Sequence, residues 1–395
     1  MLGKISQSQS SQIGKENGTS IYIHWPFCQS LCPYCDFNSY VGKNIDQHEW
    51  SLAYKKAINL ASKQSDKRTV TSIYFGGGTP SLMDPSLVSK IINQVDLHFN
   101  LDSKAEITLE ANPGSVDYQN FKSYSSYGVN RCSIGIQALN NNDLKMLGRL
   151  HTVEDAIKAY EVSQSCFGAS SFDLIYGRPK QSISNWQDEL QKALKLYPQH
   201  LSLYQLTIEP NTTFFELRKR KRLTGLPNDE KSCAFFKKTK EICEHYNLTH
   251  YEISNFSIHG NESVHNLNYW RYGDFIGIGP GAYGRITFKK EKYETETFKN
   301  PEKWLRSVLG KAEQLYSLKK KISQKNQARE YAIMSLRLKE GLNISKFNNF
   351  SQLKLNKLTI NKLVNLGLIH VFEDKIIKTY KGELLLDTLL DHLIN

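Results

Sequence analysis

The stretch Tyr22-Ile-His-Trp-Pro-Phe-Cys-Gln-Ser-Leu-Cys-Pro-Tyr-Cys-Asp-Phe37 sets three thiols, Cys28, Cys32 and Cys35, within eight residues. Three thiolates so spaced hold three irons of a four-iron cluster and leave the fourth iron open to a small molecule. On a helix the spacing i, i+4, i+7 would line one face. Pro26 and Pro33 argue against a regular helix, so the reading is a loop wrapped around a metal centre. Two other readings stand beside it: three small buried residues, and a zinc site with His24 or Asp36 as the fourth ligand.

Working outward, the 395 residues suffice for one large α/β domain and a smaller one. No apolar run is long enough to span a bilayer. Residues 1–19 are mostly Ser, Gln, Lys and Gly, lack the apolar core of a secretory signal, and read as a disordered polar tail. Cys132, Cys166, Cys233 and Cys243 are scattered without disulfide-like spacing, which fits a reducing, cytoplasmic location. The net charge is +12, and residues 301–395 carry 17 Lys and Arg against nine Asp and Glu. Of the 51 basic residues 39 are Lys in an Asn- and Ile-rich chain, so the excess reads as compositional bias and no nucleic-acid partner is expected.

Short apolar strands alternate with amphipathic helices from Ser20 onward. The expected strands are Ser20 to His24, Ser72 to Phe75, Glu106 to Glu110, Arg131 to Gln137, Ser171 to Tyr176 and His200 to Thr207. The expected helices are Asp46 to Ser62, Pro85 to His98, Val153 to Cys166, Ser184 to Leu196 and Asp229 to His245. Six such units imply a parallel sheet with covering helices, in an open sheet or a barrel; in either, ligands sit at the carboxyl ends of the strands. After about Phe298 the pattern becomes helix (Asn326 to Leu338), helix (Leu355 to Leu366), two short strands around Glu373-Asp374-Lys375, and a helix from Glu383 to Ile394. That order predicts a small winged-helix-like α+β domain over residues 299–395, following a core of residues 20–298.

The strand ends carry polar groups. The second strand enters Gly76-Gly-Gly-Thr-Pro80, where glycines let backbone amides approach a ligand. The third ends at Glu110 and the fourth at Gln137. Asp173 stands inside an otherwise apolar fifth strand, an expensive place for a charge without a partner. Arg149 is a candidate partner for Glu110, Asp173 or a bound carboxylate. Together they offer acceptors for an ammonium and ribose hydroxyls and a cation for a carboxylate: the parts needed to hold an amino acid joined to a nucleoside.

The spacing Cys28-x-x-x-Cys32-x-x-Cys35 with Tyr34, followed by Gly76-Gly-Gly-Thr-Pro80, resembles the radical S-adenosylmethionine superfamily. The strings Tyr22-Ile-His-Trp-Pro-Phe-Cys28, Tyr74-Phe-Gly-Gly-Gly-Thr-Pro-Ser81 and Asp173-Leu-Ile-Tyr-Gly177 resemble the anaerobic coproporphyrinogen III oxidase family within it. The resemblance implies a partial (β/α)6 TIM-like barrel, a 4Fe–4S cluster on the three cysteines and S-adenosylmethionine on the open iron, with an electron donor for the cluster. By position it implies S-adenosylmethionine contacts from Tyr22, Gly77, Gly78, Thr79, Glu110, Gln137, Arg149, Asp173 and Thr207, and an aromatic beside the adenine from Tyr34.

Two observations separate the branches of that family. The oxidases carry a fourth cysteine two residues after the third, where this chain has Phe37. His265-Asn-Leu-Asn-Tyr-Trp270 matches the H-N-x-x-Y-W motif of the HemW haem-chaperone branch. Likeness to that branch implies haem binding and transfer to acceptor proteins, and coproporphyrinogen dehydrogenase activity is not expected. The alternative is an oxygen-independent coproporphyrinogen III oxidase. His265 is the candidate haem ligand, with a packed structural histidine as the other reading.

Overall fold

The computed structural model describes residues 18–42, 44–66, 68–350 and 355–394. The expected polar tail falls almost wholly outside these residues, and Thr19 already belongs to the first strand.

Six parallel strands form the heart of the molecule: β1 (Thr19–Trp25), β2 (Thr69–Gly77), β3 (Asn100–Ala111), β4 (Arg131–Gln137), β5 (Ala169–Tyr176) and β6 (His200–Gln205). They lie side by side in chain order. Their two-residue alternation explains why. Ile21, Ile23, Ile73, Phe75, Leu109, Cys132, Ile134, Phe172, Leu174 and Leu201 are all fully buried beneath the covering helices. Each such side chain contributes about 1.5–3 kcal/mol. The alternate positions are polar and in register: Ser20 faces Ser72, Tyr22 faces Tyr74, Glu110 faces Ser133 and Asp173 faces Ser202. These strands thus turn an oily face to the helices and a polar face to the barrel interior.

The covering helices are α1 (Gln47–Ser62), α2 (Pro85–His98), α3 (Tyr118–Ser126), α4 (Val153–Cys166), α5 (Ile183–Leu194) and α6 (Asp229–His245). Each begins at an Asp, Asn, Ser or Thr whose side chain accepts a backbone N–H of the first turn, and α4 has a full capping box between Thr152 and Asp155.

The sheet continues beyond the expected six strands. β7 (Asn255–Ser257) adds antiparallel to β6. At the other edge β8 (Asp274–Ile278) lies parallel to β1, and the antiparallel β9 (Tyr283–Phe288), β10 (Glu291–Glu296) and β11 (Leu318–Lys321) follow it. The sixth strand also stops at Gln205, so Thr207 lies in the loop beyond it, exposed.

The expected boundary at residue 298 differs from the packing. Trp304, on the helix Pro301–Leu309, stacks on Trp50 of α1 with ring centroids 5.5 Å apart, and β11 belongs to the barrel sheet. A second apolar cluster takes over from Ala328, built on Tyr331, Leu336, Phe347, Leu363, Ile376 and Leu389. It holds the helices Gln324–Ser335, Ile344–Phe350 and Lys357–Asn365 and the hairpin Ile369–Phe372 with Lys375–Lys378. The expected final helix is two, Tyr380–Leu384 and Leu386–Ile394.

Candidate functional site

At the carboxyl end of β1 the chain turns at Pro26 into the cysteine loop. Phe27 and Cys28 form a two-residue ladder with Tyr40 and Val41, and the Cys35 N–H donates to the Cys32 carbonyl at 3.2 Å. All three thiols are free and half-buried. Burial pushes the Cys28 and Cys35 thiols up, opposed by the Thr79 hydroxyl beside Cys28 and the Phe37 backbone beside Cys35. A bound metal reverses that balance, because coordination deprotonates a thiol.

Close packing holds the loop on the barrel. The Gly78 and Thr79 N–H groups donate to the carbonyls of Trp25 (2.7 Å) and Phe27 (2.9 Å). A Cβ on Gly78 would sit 2.7 Å from the Phe27 oxygen, and one on Gly148 would sit 2.6 Å from Pro33 Cδ. His24 locks the far end of the loop. Its Nε2–H donates to the Asn38 carbonyl at 2.9 Å while its Nδ1 accepts from Tyr22 at 3.2 Å. Asn38 in turn donates to the carbonyls of Pro280 and Lys299 at 3.0 and 2.9 Å. With both its nitrogens engaged, His24 is not available as a fourth zinc ligand. Among the described residues no three His, Cys, Asp or Glu side chains converge on a single metal ion.

Arg149 joins the loop to the barrel mouth. Its Nη1 lies 3.4 Å from Cys32 Sγ, its Nη2 donates to the Gly135 carbonyl at 2.9 Å, and its buried Nε has no partner. Gln137 sits beside it in a left-handed conformation, φ +72°, after a register shift in β4. A Cβ on Gly135 would meet Gln137 Nε2 at 2.8 Å and Arg149 Nη2 at 3.4 Å, so the three residues form one contact group. A non-glycine residue held there stores strain of about 1–3 kcal/mol, a cost that clusters at ligand sites.

Below the mouth lies a layer of carboxyls and phenols. Tyr74 donates to Glu110 Oε1 at 2.8 Å, and the Gly77 N–H lies 3.3 Å from Glu110 Oε2. Burial, with the Asp173 charge adding to it, pushes the Glu110 carboxyl up to about 7. Burial likewise pushes Asp173 up to about 6 despite the Ser202 and Ser133 hydroxyls. Two carboxyls with raised pKa facing one interior are poised to bind a cation.

The structure therefore groups Tyr22, Gly77, Gly78, Thr79, Glu110, Gln137, Arg149 and Asp173 around the carboxyl ends of β1–β5, next to the cysteines. Tyr34 packs its ring against Phe214, centroids 6.4 Å apart, while its hydroxyl stands against Cys32 and Arg149. Thr207 joins none of these hydrogen bonds. The sequence reading passed over Tyr74, Ser133, Ser202 and Tyr204, and weighed His24 only as a zinc ligand. The signal that finds them is the two-residue alternation, since each shares the inward face with Tyr22, Glu110 or Asp173.

His265 lies elsewhere, below this layer. It is the second residue of α7 (Val264–Trp270), which caps the amino end of the barrel, and only 1 % of it is exposed. Ser72 donates to Ser20 at 2.7 Å, so the His265 Nδ1–H donates to Ser72 (2.9 Å) and its Nε2 accepts from Tyr269 (2.7 Å). Its ring stacks on Tyr74 at 4.8 Å. Burial holds its pKa down at about 3, so the ring is neutral. In this conformation neither nitrogen offers a lone pair to iron.

The chain's donor set fits a cluster and its ligand: three free thiols on one loop, an unpartnered buried guanidinium nitrogen beside them, and a glycine cradle leading to two raised-pKa carboxyls. Known proteins share the fold. Residues 22–193 match the radical SAM superfamily model. The chain is 35 % identical to a haem chaperone, HemW, of Haemophilus influenzae, over 94 % of this chain and 97 % of that one. It is 32 % identical to the mitochondrial radical S-adenosyl methionine domain-containing protein 1 of Danio rerio, over 95 % and 86 %. Among solved structures, coproporphyrinogen III oxidase (HemN) of Escherichia coli superimposes with a TM-score of 0.79, covering 95 % of this chain and 90 % of that one. At 22 % identity that likeness speaks for the fold alone.

Proposed function

The chain belongs to the radical SAM superfamily and, within it, to the HemW family, and on that footing we propose that it is a haem chaperone, which binds haem and passes it to acceptor proteins. The observation that carries this reading over the oxidase is Phe37. Where the oxidases have a fourth cysteine, this chain presents an apolar ring, 61 % exposed.

Cys28, Cys32 and Cys35 would hold the 4Fe–4S cluster, and S-adenosylmethionine would occupy its open iron. When bound, the pair supplies one-electron cleavage of a sulfonium, fed by an external electron donor. The chain's own residues do the rest. Glu110 and Asp173 would accept from the ligand's ammonium and ribose hydroxyls, and Arg149 would meet its carboxylate. Gly77, Gly78 and Thr79 would bring backbone to the ligand, with Tyr22, Tyr34 and Gln137 bordering it. Tyr74 holds Glu110 and His24 holds the loop, so both would support the site through other residues.

His265 supports this reading as a post beneath the site, and we assign it no iron. The seven free cysteines favour a reducing compartment, and the cytoplasm is the proposed one. No helix of the described residues is long and apolar enough to cross a membrane.

The test is one anaerobic sample of reconstituted protein, titrated with haem and then given coproporphyrinogen III with S-adenosylmethionine. The expected result is one haem per chain, cluster absorbance and no protoporphyrinogen IX. Failure to bind haem stoichiometrically sinks the chaperone reading. Release of 5′-deoxyadenosine in step with decarboxylation would put the oxidase in its place.

A further inference from the structure

Arg218-Lys-Arg-Lys-Arg222 is the densest run of charge in the chain, and every residue of it is exposed. It closes the short helix Thr213–Lys219 in the connection after β6, on the same rim of the barrel as the cysteine loop. One carboxylate stands near it, Glu216 Oε2 at 4.0 Å from Arg220. Among the described residues no other carboxylate comes within ion-pair distance of these five side chains.

A surface charge run is most often no more than a solvated face. This one differs in what it stands on. The Phe214 N–H donates to the Pro33 carbonyl between Cys32 and Cys35 at 2.8 Å, and Phe214 is only 3 % exposed. Leu217 and Leu223, on either side of the run, pack with Tyr34 against a satellite core of Leu144, Leu147, Ile175 and Leu206. The turn itself is tied by the Lys221 and Arg222 N–H groups, which donate to the Arg218 and Leu217 carbonyls at 2.9 and 2.8 Å. Five cations are thus fixed to the cysteine loop through a rigid apolar base. Two exposed apolar side chains flank the same loop: Leu31, just before Cys32, and Leu150, next to the Arg149 that touches Cys32 Sγ.

We infer that this rim is the docking surface for a small acidic protein that delivers single electrons to the cluster. The inference rests on the cluster assignment made above. The step it serves moves one electron from the reduced carrier to the cluster, with no bond made or broken. Two exposed apolar contacts beside a run of like charge suit a brief, electrostatically steered encounter of small area. A lipid surface suits it less well, because Leu31 and Leu150 offer little apolar area to bury and the helix below the run has seven residues.

The test compares the wild-type full-length chain with two charge variants. In one, Arg218, Lys219, Arg220, Lys221 and Arg222 are all changed to Gln. In the other, the exposed Lys90, Lys122, Lys158, Lys192 and Lys195 on the outer helices are changed to Gln, removing the same total charge elsewhere. The probe is an acidic plant-type [2Fe–2S] ferredoxin at low salt. Binding is first measured on cluster-free protein, so the result stands whether or not a cluster assembles. The rate of cluster reduction is then followed by absorbance on reconstituted protein, with dithionite as a small reductant that needs no docking. The rim variant is expected to bind ferredoxin at least tenfold more weakly and to accept its electrons at least tenfold more slowly. Its dithionite rate and the outer-helix variant should match wild type. Equal ferredoxin binding by the two variants overturns the inference, as does a rim variant that loses only its affinity for anionic phospholipid vesicles. Absent cluster absorbance with rim-dependent ferredoxin binding would instead count against the cluster assignment.

Discussion

Replacing His265 by Ala separates a supporting post from an iron ligand. The substitution removes two buried hydrogen bonds, to Ser72 at 2.9 Å and Tyr269 at 2.7 Å, and the ring stacked on Tyr74. Each bond contributes about 1 kcal/mol net, and the Tyr269 hydroxyl left without its acceptor costs about 1–3 kcal/mol more. A loss of about 3–5 kcal/mol follows, read as a lower urea midpoint under anaerobic conditions. The effect should also reach the site above. Tyr74 donates to Glu110, so a loosened Tyr74 weakens S-adenosylmethionine binding, by about tenfold if 1.4 kcal/mol is transmitted. His265→Gln keeps an amide oxygen to accept from Tyr269 and should recover part of both losses. Haem binding should persist in both variants under folding conditions. The reasoning is refuted if His265→Ala loses haem while its urea midpoint and S-adenosylmethionine affinity stay at wild-type values.

Cys32→Ser should lose cluster absorbance and keep haem binding; loss of both together would mean that one site serves both. Gly78→Ala places a Cβ 2.7 Å from the Phe27 carbonyl oxygen, backbone that carries Cys28 and has little room to yield. Cluster content after reconstitution should fall severely, and a fully loaded variant would show that the loop is not clamped there. S-adenosylmethionine, which carries sulfonium and ammonium cations, should bind more tightly as pH rises from about 5.5 to 7.5, while Asp173 and Glu110, at about 6 and about 7, ionise. For the free protein the sign is opposite. A carboxyl raised on folding gives stability that is present below its unfolded pKa, near 4, and lost as pH rises through 6–7. Calorimetric titrations at several pH values check the binding trend, and a flat profile removes the carboxyls from the ligand's surroundings.

The six barrel strands and most of their helices were legible because each is fixed locally. Ile-Tyr-Ile and Thr-Leu-Glu patterns declare a two-sided strand, and Asp46, Asp84 or Thr152 declares where a helix begins. The antiparallel extension was not legible. β9 to β11 are short, charged segments such as Glu291-Lys-Tyr-Glu-Thr-Glu296, whose strand character comes from pairing with neighbours rather than from their own pattern. The same limit hid the packing of Trp304 on Trp50, a contact between residues far apart in the chain. At the site, Glu110, Gln137, Arg149 and Asp173 could be picked out one by one as polar residues near strand ends. The environment of His265 could not, because Ser72 reaches it from a strand 193 residues away and Tyr269 meets it only once both stand on the helix Val264–Trp270. The motif around it reads as a ligand until those hydroxyls are seen to occupy both nitrogens.

The pairing of β1 with β8 has a consequence for synthesis. The strand Thr19–Trp25 leaves the ribosome well before Asp274–Ile278, which completes one of its edges, and Asn38 in the cysteine loop is held by Pro280 and Lys299. At about 5–20 residues per second, some 10–50 s of translation separate the thiols from the segment that seats them. Through that interval the nascent chain carries an open strand edge and three unguarded cysteines. Metallation is therefore expected only once residues up to Lys299 have emerged, and chains stalled before residue 274 should label fully with a thiol reagent.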